Sequence, residues 1–159
     1  MGWLLNPSKL RYPGRRIESP RSNLGRGYGG GTTEGEGLKV TEIADTGAFV
    51  IDRADGRADG DDWTENYTEL PGGAGVSLIL EATTQEGVGP RLHLHPYAET
   101  FIIRRGSATF TVADQQLVAH AGQILVVPAE TPHKFRTGPG GYEALHIHAN
   151  PTFETTWLE

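Results

Sequence analysis

Between Gly87 and Gly106 the chain spaces its chemistry-bearing residues in a way that suits an extended strand. His93 and His95 lie two residues apart, and side chains alternate along a strand with period two, so both imidazoles leave the backbone on one side. Glu99 follows four residues after His95, beyond Pro96-Tyr97, a bend that can open the next strand. One further imidazole from a later strand, His133, would complete four ligands converging inside a barrel. Such a set suits a divalent metal.

The rest of the chain favours the same kind of fold. Its 22 glycines and 10 prolines point to a turn-rich β protein. Short β-type runs recur at 38–43, 49–52, 64–70, 76–83, 91–95, 100–104, 107–112, 115–119, 123–127, 133–136 and 143–148. Turn residues separate them, among them Pro71-Gly72-Gly73, Ala113-Asp114, Ala121-Gly122 and Gly138-Pro139-Gly140-Gly141. The charged, glycine-bearing stretch 52–62 reads as an exposed loop, and residues 151–158 as a helical turn with Pro151 in its first turn.

A length of 159 residues fits one domain. Residues 1–37 show no periodicity and contain Gly27-Tyr28-Gly29-Gly30-Gly31, so they read as a disordered leader before a folded domain at 38–159. Charge divides along the same line. Residues 1–31 carry Lys9, Arg11, Arg15, Arg16, Arg21 and Arg26 against Glu18 alone, a net +5 that leaves −11 for the remainder. An acidic body disfavours nucleic acid as a partner, because duplex binding needs a basic face. With no cysteine there is no disulfide, thiolate zinc site, iron–sulfur cluster or catalytic thiol. No apolar run approaches the roughly 20 residues of a membrane span, and Trp3-Leu4-Leu5 is too short for a secretory signal. A cytoplasmic protein without a membrane partner is expected.

The spacing around these ligands resembles that of the cupins. Their first motif runs glycine, five residues, His-x-His, three or four residues, Glu, six residues, glycine, and Gly87, His93, His95, Glu99 and Gly106 fill every fixed position. In the second, Gly122 is followed after five residues by Pro128, and then by His133. Glu130 stands where glycine is usual and Thr137 where asparagine is usual; the first departure implies a strained or altered turn. The 15 residues between Gly106 and Gly122 match the intermotif loop of compact single-domain cupins. The resemblance spans roughly residues 38–147 and implies an all-β double-stranded β-helix, or jelly roll, that pairs as a homodimer.

Imidazole and carboxylate ligands suit iron(II), manganese, nickel, copper or zinc. Three nitrogens and one oxygen leave positions of an octahedral ion open to water or substrate. Alternation places Arg91 on the face of His93, where it could clamp an anionic group of a substrate. It also puts Phe101, Ile103 and Phe135 on the inner face, where plain core packing is the preferred reading and an apolar wall around the metal the alternative. His146 and His148 share one face of the last strand. One parity buries Leu145 and Ile147 and turns the histidines outward, whereas the other aims both imidazoles at the pocket as acid–base candidates. The pocket parity is preferred, since paired histidines on a solvent face have no evident use. His120, beside a turn, should be exposed, and Tyr97 should gate the site or staple the bend. The expected function is a metal-dependent, dioxygenase-type enzyme acting on a small organic molecule. The alternatives are a non-redox isomerase, cyclase or lyase, and a non-catalytic module that binds a small molecule or metal.

Overall fold

A computed structural model of the chain describes residues 39–52 and 62–159. The leader, and most of the 52–62 loop, lie outside the described residues. Ten strands follow in order: β1 Lys39–Ile43, β2 Ala48–Asp52, β3 Trp63–Tyr67, β4 Ser77–Thr83, β5 His93–Leu94, β6 Glu99–Val112, β7 Gln115–His120, β8 Ile124–Val127, β9 His133–His148 and β10 Thr156–Trp157. β1 and β2 form a hairpin, and the other eight make one antiparallel sheet that curls into a half-barrel.

Two long strands organise the sheet. β6 pairs with β9 from Glu99 opposite His148 to Val112 opposite His133, while β4 flanks β9 and β7 and β8 flank β6. The strand break expected at 105–106 and the turn expected at Gly138-Pro139-Gly140-Gly141 are bulged irregularities instead, because both strands run on through them with register shifts. Glycine is required at Gly106, with φ of +69°, since a Cβ there would collide with the Gly141 carbonyl oxygen. The bulge strengthens strand curvature, which is how two strands of 14 and 16 residues bend around one core.

That core follows from alternation on the inward faces. Phe101, Ile103, Ala108, Phe110, Ala119, Val127, Phe135, Tyr142 and Ala144 are buried together. Phe101 meets Phe110 edge-on at 5.0 Å between centroids. Each such large side chain contributes roughly 1.5–3 kcal/mol through burial. The apolar layer lies directly beneath the histidine cluster, and Phe101 touches both, with its ring 4.6 Å from that of His146.

The C-terminal segment departs from expectation. Residues 156–157 extend as β10 against β5, with Trp157 opposite His93, and Leu158 N–H donates to the Leu92 carbonyl. β5 offers only two residues of backbone for pairing, and an extended tail satisfies them where a helical turn could not.

Candidate metal centre

The first motif delivers its ligands through short-range geometry. His93 and His95 project inward from β5 and the bend after it, and Glu99 opens β6 after Pro96-Tyr97. His133 opens β9 and stands directly across the ladder from His93, with the two rings 4.4 Å apart. One donor atom from each of the four lies within 4.8 Å of the others, and all four side chains are buried. The cluster could hold a metal ion.

Backbone contacts prepare the imidazoles for that role. Nδ1 of His93 lies 2.7 Å from the Arg91 carbonyl, Nδ1 of His95 2.7 Å from that of Glu154, and Nδ1 of His133 2.8 Å from that of Thr131. A carbonyl can only accept, so each Nδ1 carries the proton and each neutral ring keeps its Nε2 lone pair for the centre. Glu99 Oε2 then stands 2.9 Å from His133 Nε2 and 3.1 Å from His95 Nε2. Two acceptors so close need a cation or a proton between them, and His95 Nε2 is buried with no aligned hydrogen bond. These donors therefore fit a divalent ion.

The structure selects the inward parity for the last strand. His146 and His148 are both buried and line the same cavity as His93, His95 and Glu99. His148 Nε2 lies 3.3 Å from Glu99 Oε1. His146 reaches the same oxygen through Nδ1 at 3.5 Å and Glu81 Oε1 through Nε2 at 3.4 Å. Five of the six histidines thus surround one carboxylate. The sixth, His120, is exposed as expected.

Electrostatics follow this crowding. Burial works to raise the Glu99 carboxyl, but the imidazoles of His133, His146 and His95 close against it and the field of His148 outweigh it, holding the group well below its ordinary value. His95 is burdened by burial yet raised by Glu99 and the Glu154 carbonyl. Burial also opposes a charge on His146, but Glu81 and Glu99 push it up to about 9. Burial dominates at His93, which is lowered, and at His148, which is lowered to about 4.

Arg91 does not share this face. Its residue precedes the two-residue β5, so the alternation that predicts an inward guanidinium does not apply; the side chain is exposed and sits 5.0 Å over the Trp157 ring. Phe101 and Phe135 pack in the core and also line the cavity, while Ile103 lies in the core and not among the lining residues. Tyr97 staples rather than gates: its hydroxyl accepts from Glu154 N–H at 2.7 Å, and its ring stacks on His95 at 5.3 Å. Glu130 adopts the left-handed φ of +59° that glycine would supply, and its N–H donates to the His95 carbonyl. Thr137 replaces asparagine by bonding the Gly87 loop, accepting from Val88 N–H and donating to the Gln85 carbonyl.

Sequence reasoning passed over Glu81 on β4, and Glu154 and Trp157 in the tail. Within 76–83 alternation puts Glu81 on the face of Ile79, but nothing in the sequence marks that face as the inner one. The cavity that Glu81 and Trp157 join has a volume of about 700 Å³ and extends from the histidines to Trp63, Asn66 and Gln85.

Residues 80–148 match the family model for the cupin domain, and the curled antiparallel sheet around the buried His93, His95, Glu99 and His133 cluster agrees with a cupin fold. Among solved structures, the chain superposes on Bacillus subtilis oxalate decarboxylase with a TM-score of 0.54 and 23% identity, covering 62% of this chain and 28% of that one. A two-residue deletion variant of the same enzyme gives a TM-score of 0.54 and 24% identity over 62% of this chain and 28% of that one. Another structure of this enzyme concerns its Mn(II) centres. The chain spans under a third of the decarboxylase's length, and the likeness at this identity is one of fold. No curated protein matches the sequence. Among the described residues no helix is long and apolar enough to cross a membrane.

Proposed function

We propose that His93, His95, Glu99 and His133 hold a divalent transition metal at which a small organic molecule is bound and transformed, in a dioxygenase-type reaction. The observation that carries this reading is a cluster of four buried donors, three of which, His93, His95 and Glu99, open onto one cavity of about 700 Å³. A structural metal would be enclosed by its ligands and usually by thiolates, whereas three nitrogens and one oxygen beside a cavity leave room for a substrate. When bound, the ion would supply Lewis acidity and open coordination positions.

The chain's own residues supply the remainder. Backbone carbonyls fix the three imidazoles, His148 and His146 hold the free oxygen of Glu99, and Phe101 and Phe135 keep bulk water from the reacting end. His146, bridging Glu99 and Glu81, is placed to hold a proton at Nε2 facing Glu81. That placement favours, as the second reading, non-redox proton-transfer chemistry by an isomerase, cyclase or lyase.

Anaerobic loading with iron(II), followed by catechols, flavonols, diketones and small thiols, tests the choice. Perturbation of the iron spectrum by one compound, with stoichiometric oxygen uptake on exposure to air, is the expected result. Binding without uptake in the iron, manganese, nickel and copper forms would reject the oxygenase. Product analysis of the bound compound would then separate a non-redox enzyme from a binding module.

A further inference from the structure

The cavity is polarised. Its near end holds the proposed ligands His93, His95 and Glu99; beyond His146, whose ring bridges Glu99 and Glu81, the lining carries Glu81 and Asp62 as its far end, and no Lys or Arg occurs among the described residues that line it. A divalent ion with Glu99 would leave the near end one unit positive. At the far end two carboxylates leave one unit negative even when His146 carries a proton. Aromatic residues line the cavity too, among them Trp63, Phe101 and Phe153.

We propose, resting on the metal reading above, that the far end receives an ammonium group of the substrate and that Glu81 is its binding partner. The substrate would be an amine that also presents a chelating oxygen pair. Asp62 is less available, because its carboxylate already accepts from Thr84 N–H at 2.6 Å and Gln85 Nε2 at 3.1 Å. Glu81 meets His146 at 3.4 Å, and its side chain keeps 21% of its surface exposed. A cation there gains a partly desolvated carboxylate and aromatic faces. A second carboxylate at the same place would meet the like charges of Glu81 and Asp62, and the imidazole of His146 there is already paired with Glu81 and Glu99. Arg91 stands over Trp157 and Arg136 donates to the Pro90 carbonyl, and neither is among the residues that line the cavity.

A matched series of catechols tests this with chelation held constant: dopamine, 4-methylcatechol and 3,4-dihydroxybenzoate carry a cationic, neutral or anionic group away from the chelating oxygens. The full-length chain is loaded with zinc, a redox-silent probe, and its zinc content is measured. Each catechol is then titrated by calorimetry, with affinities corrected for its binding to zinc in water. Dopamine should bind about tenfold more tightly than 3,4-dihydroxybenzoate, with 4-methylcatechol between them. Glu81→Gln should erase dopamine's advantage over 4-methylcatechol. Equal or tighter binding of the anion, an unchanged dopamine advantage in folded E81Q, or no binding by zinc-replete protein would each overturn the ammonium site and leave the metal reading intact. A chain that takes up no zinc would overturn both. The unsubstituted protein's ranking decides the matter even where E81Q does not fold.

Discussion

His148 Nε2 stands 3.3 Å from Oε1 of Glu99, the oxygen that does not face His95 and His133. The two oxygens of one carboxylate are therefore divided between different sets of imidazoles. Burial lowers His148 to about 4, so near neutrality its ring is uncharged and can serve Glu99 only by donating Nε2–H. Fixing one oxygen fixes where the other points. His148→Ala should weaken metal binding about tenfold with all four proposed ligands in place, and His148→Gln, which restores a donor, should recover part of the loss. Chelator competition measures it. Unchanged affinity in His148→Ala would show that Glu99 needs no such support.

Loss of a ligand should cost more than loss of its support. His95→Ala or His133→Ala is expected to lower bound metal by more than about tenfold. The barrel should remain folded, because Phe101, Phe110, Val127 and Tyr142 carry its stability. Elemental analysis together with circular dichroism checks both halves. Full metal content in the His133 variant would reject the ligand set, and loss of the β signal in metal-stripped protein would mark a structural ion.

At the closing glycine of the first motif the expected effect is on folding. Gly106→Ala places a Cβ into the Gly141 carbonyl oxygen at a left-handed φ. Both the strain and the collision fall on backbone in the middle of the β6–β9 ladder, so a loss of at least about 2 kcal/mol is expected in denaturant unfolding. Gly122, equally left-handed but with nothing within 4 Å of a built Cβ, should tolerate alanine better.

The site was more legible in the sequence than the path of the chain around it. The first motif acts over 20 residues, and local alternation is enough to place His93, His95 and Glu99. The Glu130 turn was legible for the same reason: a missing glycine announces a left-handed residue, and φ is +59°. What failed depended on distant partners. Gly106 and Gly138–Gly141 look like strand ends, yet β6 and β9 continue through them because each ladder supports the other's bulge. Arg91 was misplaced because strand alternation begins only at His93. The tail's pairing with β5 spans more than 60 residues and leaves no periodicity to read.

Asp62 provides a pH-dependent latch. Hydrogen bonds from Gln85, Thr83 and Thr84 lower its carboxyl from 3.8 to about 2. A depressed folded value means that the contribution to stability is fully present above 3.8 and is lost as pH falls through about 2. The Thr84 amide resonance, whose N–H donates to Asp62 Oδ1, should titrate with a midpoint near 2. Asp62→Asn should abolish that titration. A midpoint near the ordinary value would mean that the latch is open in solution.

The expected homodimer has a surface to account for. Alternation on β8 turns Val127 into the core and leaves Ile124 65% and Val126 56% exposed. In the sheet Ile124 pairs with Ile102, which pairs with Leu145, and Val126 reaches Ile147 through Thr100, so apolar side chains run across three strands on the barrel's outer face. Contiguous apolar surface of this kind is uncommon on a monomer and marks a contact site. Ile124→Arg should convert a dimer to a monomer in sedimentation equilibrium, since an unpaired guanidinium buried in an apolar interface costs several kcal/mol. The metal content should stay the same, because Ile124 points away from the cavity. An unsubstituted chain that sediments as a monomer, or an Ile124→Arg chain that remains dimeric, would remove this face as the interface.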